Sequence, residues 1–88
     1  MIERLVTIVN PLGLHARPAA QFVKMAATYT SHIEVVRDGT PINGKSIMGV
    51  MMLAAECGSS FTVRADGPDA EDAVTALAAL VAAGFGEK

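Results

Sequence analysis

His15, Arg17 and Pro18, within the stretch His15-Ala16-Arg17-Pro18, have side chains and a spacing that suit one kind of chemistry. An unprotonated imidazole nitrogen is a nucleophile available near neutral pH. A guanidinium two residues on offers planar, forked donors that match phosphate oxygens in a way lysine does not. Proline is tolerated in the first turn of a helix, where amide hydrogens have no intrahelical partner, so Pro18 places a helix start at about His15 or Ala16. His15 is then the candidate cap. Free first-turn amides and the positive end of the helix dipole favour an anion attached to its ring. Gly13 allows the backbone turn that presents the imidazole. The plainer alternative, a loop histidine with only a polar role, has no use for these neighbours. The residues point to a transient phosphoryl group on His15, with Arg17 on its oxygens.

The charge distribution agrees. The net charge is -2, which argues against bulk electrostatic binding to nucleic acid or anionic lipid. Yet no carboxylate occurs between Arg4 and Ile33, while Arg4, Arg17 and Lys24 do, and Lys45 is the one formal charge from Gly39 to Ala55. The surroundings of His15 are therefore expected to be locally positive. Cys57 has no partner cysteine, which excludes an intramolecular disulfide and paired-cysteine metal sites, and it reads as a small, semi-buried hydrophobe. No metal or cofactor is called for. The apolar run from Ala73 to Ala83 is far short of the ~20 residues that span a bilayer. With 88 residues, half of them hydrophobic, the chain suits one domain with one core.

Those residues need elements to hold them. Ile2 to Val9 is rich in Ile, Val, Leu and Thr and closes at Asn10-Pro11, as a strand does. Ala19, Phe22, Val23, Ala26 and Thr30 then recur at helical spacing. His32 to Arg37 alternates, with Ile33 and Val35 inward and His32 solvated on the outer side. Asp38-Gly39 supplies a tight turn into Thr40 to Ile42, an edge strand because Pro41 cannot donate to a ladder. Ser46 caps a helix whose apolar side is Ile47, Val50, Met51 and Ala54, in a segment ended by Gly58. Phe61, Val63 and Ala65 alternate inward in a last strand. Beyond Gly67-Pro68, a final helix runs from Pro68 or Asp69 to Ala83, with acids in its first turn. The order βαββαβα, with helices on one face of a four-stranded sheet, makes an α+β open-faced sandwich of two layers.

Gly39 to Ser46, "GTPINGKS", satisfies the literal phosphate-binding loop pattern G-x-x-x-x-G-K-[ST]. The chain is too short for the parallel sheet such a loop needs, and Pro41 with the preceding turn makes this stretch a hairpin arm, so nucleotide binding is set aside. Met25, Met48, Met51 and Met52 are unusual in so small a chain, and some are expected outside, because methionine adapts to several partners. Val50 and Leu53 are assigned to packing.

Together, "GLHARPAAQFVKMA" and "NGKSIMGVMMLAA", with the closing "GPDAEDAVTALAALVAAGFGE", resemble the HPr family of histidine-containing phosphocarriers of the bacterial phosphoenolpyruvate-dependent phosphotransferase system. The resemblance implies a four-stranded antiparallel sheet under three helices, and that His15 takes a phosphoryl group on Nδ1 from phosphorylated enzyme I, with Arg17 as its phosphate-binding partner. His15 would pass the group to a histidine or cysteine of an enzyme II component. The resemblance also makes Ser46 a regulatory serine, open to a dedicated kinase and phosphorylase. A dianion there would sit beside an apolar docking surface and weaken partner binding. That surface is expected to take in Ala16, Ala20, Lys24, Lys45, Ile47, Met48 and Met51. The expectation is a cytoplasmic, monomeric carrier rather than an enzyme; the alternative is a regulatory binding module controlled through Ser46.

Overall fold

The computed structural model describes residues 1–53 and 55–87. Its elements are β1 (Ile2–Thr7), α1 (Ala16–Ala26), β2 (His32–Arg37), β3 (Thr40–Asn43), α2 (Ile47–Met51), β4 (Ser60–Asp66) and α3 (Ala70–Ala82), followed by a 3-10 turn, Gly84–Gly86. The strands form one antiparallel sheet in the order β1-β4-β2-β3. The result is the α+β open-faced sandwich that the alternation of the strands requires.

Alternation decides which sheet face is covered. Phe61, Val63 and Ala65 of β4 and Ile33 and Val35 of β2 are buried against the helices. Phe22 of α1 meets Phe61 edge to face, with ring centres 6.3 Å apart and planes at 66°. The opposite face is polar. Arg64 donates to Glu34, its cross-strand neighbour, through Nη2 at 2.7 Å. His32 is exposed as expected but does not stand alone: its Nε2 lies 3.3 Å from Glu34 Oε2. Arg64 first, and His32 second, hold the Glu34 carboxyl below the usual carboxylate range.

Turn chemistry sets the strand pairing. Asp38 and Gly39 both have positive φ, 55° and 79°, as a two-residue type I′ hairpin needs, and Arg37 pairs directly with Thr40. Pro41 sits on an edge strand, opposite Val36. The "GTPINGKS" stretch is thus an antiparallel hairpin arm leading into a capped helix, not a phosphate cradle.

Several boundaries differ from the sequence expectation. The β1 ladder stops at Thr7 rather than Val9, although Ile8 continues the pairing through Ile8 N to Ser59 O at 2.9 Å and Gly58 N to Ile8 O at 2.8 Å. α1 ends at Ala26 and leaves Thr30 outside, because the carboxylate of Asp69 accepts the Thr30 amide at 2.8 Å and the Ser31 amide at 2.9 Å. Asp69 is therefore the N-cap of α3 by position only; its side chain serves the entry to β2, and α3 begins at Ala70. α2 is confined to Ile47–Met51, and Ala54 lies outside the described residues. Cys57 is exposed rather than semi-buried, with Sγ 3.8 Å from the Val9 carbonyl oxygen. Its loop turns backbone, not side chain, toward the protein: the Cys57 nitrogen lies 3.4 Å from where a Cβ on Gly13 would be.

Asp69 gives the fold a pH dependence. The Ser31 hydroxyl foremost, then the Thr30 amide, the Ser31 amide and the Thr30 hydroxyl, hold its carboxyl down at about 2, against an ordinary value of 3.8. A carboxyl depressed in the folded state contributes stability above its unfolded pKa, and that contribution disappears as pH falls toward the folded value. Urea unfolding should show Asp69→Ala less stable than wild type at pH 7, with the gap closing between about pH 4 and pH 2.

Candidate functional site

The site begins with a loop seated on another loop. Gly13 N closes a turn on Asn10 O at 3.1 Å, and Leu14 N bonds Ala55 O at 2.7 Å. Gly13 has φ +72°, and a Cβ on it would come within 2.8 Å of Ala55 O and 2.9 Å of Glu56 Cα. Only glycine allows both the conformation and the close approach. Leu14 is buried, so the next residue must turn outward, and it is His15.

His15 is the N-cap of α1, with extended backbone at φ -82° and ψ -170° and no side-chain capping bond. Its carbonyl accepts the first helical hydrogen bond, from Ala19 N at 3.0 Å. Pro18 lies buried in the first turn, where its missing N–H leaves nothing unsatisfied. The His15 side chain is 37% exposed. Arg17, one helical position beyond Ala16, is exposed, and among the described residues its guanidinium makes no hydrogen bond or ion pair. α1 therefore carries an imidazole and a guanidinium at its positive end, two residues apart.

Ala16, Ala20 and Lys24, four residues apart along α1, are all exposed. α2 packs beside α1 and exposes Ile47, Met48 and Met51, with Met48 at 77%; Met52, just after the helix, is exposed too, while Val50 and Leu53 are buried as expected. Lys45 is half-buried, and its Nζ donates to the Tyr29 carbonyl at 2.7 Å, closing the chain that leaves α1. Ser46 caps α2, its Oγ accepting from Gly49 N at 3.2 Å.

Two residues of the site have no sequence signal. The stretch around His15 is free of acids in sequence, yet Glu87, 72 residues on, lies against the ring: His15 Nε2 is 2.9 Å from Glu87 Oε2 and 3.2 Å from Oε1. This corrects the expectation of an acid-free surrounding. Asn10 reads in sequence as a turn residue only; in the fold it is buried, and its Nδ2 donates to Glu87 Oε1 at 2.9 Å and to Gly13 O at 2.7 Å.

A groove of about 510 Å³ lies elsewhere, between β1 and α3, lined by apolar residues such as Leu5, Val9 and Ala78, and neither His15 nor Arg17 borders it. His15 and Arg17 thus stand outside this groove, partly or fully exposed at the start of α1. Among the described residues no group of three potential metal ligands occurs, and no helix is long and apolar enough to cross a membrane.

Residues 2–83 match the family model for the PTS HPr component phosphorylation site. The chain belongs to the HPr family. It is 49% identical over 87 residues to the phosphocarrier protein HPr of Cupriavidus necator, covering 99% of this chain and 98% of that one. The crystal structure of HPr-C-His from Thermoanaerobacter tengcongensis superimposes with a TM-score of 0.95 at 44% identity, covering 100% of this chain and 99% of that one. A crystal structure of an HPr dimer from the same organism matches at a TM-score of 0.76 and 43% identity, over 99% and 100% of the two chains. Family membership makes this chain an HPr-type phosphocarrier and a component of the phosphotransferase system.

Because the loop has no room at Gly13, Gly13→Ala should destabilise the protein by about 1–3 kcal/mol through positive-φ strain and the clash with Ala55 and Glu56. Urea unfolding measures the loss, and amide shifts of His15 and Ala55 should move with it.

Proposed function

We propose that this chain accepts a phosphoryl group on His15 from phosphorylated enzyme I and passes it to enzyme II A components, acting in the cytoplasm as a carrier rather than a catalyst. The observation that supports this most is the half-exposed ring at the start of α1, with Nε2 facing a carboxylate and Nδ1 left as the nucleophile. The Nδ1 lone pair attacks phosphorus. The bond from phosphorus to the donor's leaving atom breaks, and its electron pair goes with the donor. Arg17 and the first-turn amides balance the phosphoryl oxygens. The same face then meets the acceptor, and the sequence runs in reverse onto it.

One chain supplies His15, Arg17, Asn10 and Glu87, so a single copy is the functional unit. The exposed side chains of Ala16, Ala20, Lys24, Ile47, Met48 and Met51 form the docking surface, with Lys45 at its border. Ser46 is the regulatory position: phosphorylation would keep a capping oxygen on α2 while placing a dianion beside Ile47 and Met48.

Incubation with enzyme I and phosphoenolpyruvate should give an acid-labile adduct, lost entirely in His15→Ala and formed at least about tenfold more slowly in Arg17→Ala, since a forked charged contact is worth about 1.5–3 kcal/mol. An unmodified wild-type protein would reject the carrier reading. Modification at Ser46 by a serine kinase with ATP should slow uptake from enzyme I. Undiminished uptake by the modified protein would remove the regulatory role and leave the carrier intact.

A further inference from the structure

β1 is an edge strand, with β4 on one side of it and, among the described residues, no strand on the other. Ile8 N bonds Ser59 O at 2.9 Å, so the even-numbered residues of the strand turn their amides and carbonyls toward β4. Glu3, Leu5 and Thr7 turn theirs outward, and all three residues are exposed. Such an edge is commonly blunted by proline, by a bulge or by a covering helix. α3 does pack along β1, but it meets the edge with Thr75, Ala78, Ala79 and Ala82. Their short side chains leave the groove of about 510 Å³ beside the open backbone.

Arg4 stands at that groove. It pairs with Val63, which is buried under the helices, so its side chain lies on the helix-covered side of the sheet. It is the one charged residue among those lining the groove, it is exposed, and among the described residues it makes no hydrogen bond or ion pair. An inward-facing charge guards an edge strand, because an incoming apolar strand would bury that charge unpaired. A carboxylate arriving at the same position would meet the fork of the guanidinium instead. The guard therefore selects a partner rather than refusing every one.

We propose that the free edge of β1 docks an extended segment of a partner protein, antiparallel to β1, with apolar residues in the groove and an Asp or Glu opposite Arg4. The outward amides and carbonyls of Glu3, Leu5 and Thr7 hold the segment, and Arg4 sets its register. A second copy of this chain fits the edge poorly. Opposed residues of an antiparallel pair share a face, and on the helix side β1 has only Ile2, Arg4 and Val6 to set against Arg4. Its one carboxylate, Glu3, lies on the open face near Arg64. Since neither His15 nor Arg17 borders the groove, a partner held there leaves the start of α1 free.

The probe is a short blocked peptide, Thr-Val-Thr-Glu-Thr-Val-Thr, which as a strand puts its valines and glutamate on one face. Added to the 15N-labelled full chain, it should shift the amides of Ile2 to Thr7 and of Thr75 to Ala82 and leave those of His15 to Lys24 in place. Replacing its glutamate by valine should weaken binding about tenfold, and replacing it by lysine more. Arg4→Glu should reverse the order and favour the lysine peptide. Methylating the nitrogens of the two inner threonines, which face Glu3 and Leu5, should abolish binding by removing the donors to the edge. The proposal is overturned by an absence of shifts with the glutamate peptide, by shifts confined to the start of α1, by equal binding of the glutamate and valine peptides, or by undiminished binding of the methylated one. Shifts of the same β1 amides on concentrating the protein alone would assign the edge to a second copy and overturn it as well.

Discussion

The site hangs on one backbone hydrogen bond, Leu14 N to Ala55 O. It joins the loop before α1 to the segment after α2, and it pins Leu14 into the core one residue ahead of His15. Once Leu14 is inside, the chain can only expose the next side chain and enter the helix. Gly13 makes this possible by yielding the space that a Cβ would occupy against Ala55 and Glu56. The direction of α1 is then set midway along it by Phe22 against Phe61, so the start of the helix is fixed relative to the sheet.

Polar groups do much of the linking between distant segments. Asp69 ties the entry of β2 to the start of α3, and Lys45 closes the exit of α1 through the Tyr29 carbonyl. Arg37 Nη1 donates to the Leu53 carbonyl at 2.8 Å, joining the hairpin to the end of α2. In each case a side chain satisfies backbone groups that a helix end or a loop leaves open. Such bonds replace length: α2 has five residues, too few to be stable as an isolated helix, and it persists because Ser46 caps it and Val50 is buried.

The elements themselves were legible in sequence, since period-two and period-3.6 patterns are local. Phe61, Val63 and Ala65, or Ala19, Phe22 and Ala26, announce their faces within a few residues. The position of His15 at the helix start was legible too, through Pro18. What was not legible depended on chain far away. Thr30 fits the helical spacing, and only Asp69, 39 residues on, removes it from α1. Glu87 reaches His15 only because three successive residues take positive φ, and a phenylalanine gives no hint of that. Cys57 has an apolar character in composition, but its loop presents backbone to the protein and leaves the thiol outside.

The imidazole side chain is 37% exposed at the start of α1, and it does not line the groove between β1 and α3. Any group bonded to that ring travels in contact with water. Under the proposed function, hydrolysis would compete with delivery from the moment of loading, so the useful life of the charged form would be a race between solvent attack and the next encounter. A body with a radius of gyration of 11.4 Å is well built for that race, because small particles diffuse quickly and meet their acceptors sooner.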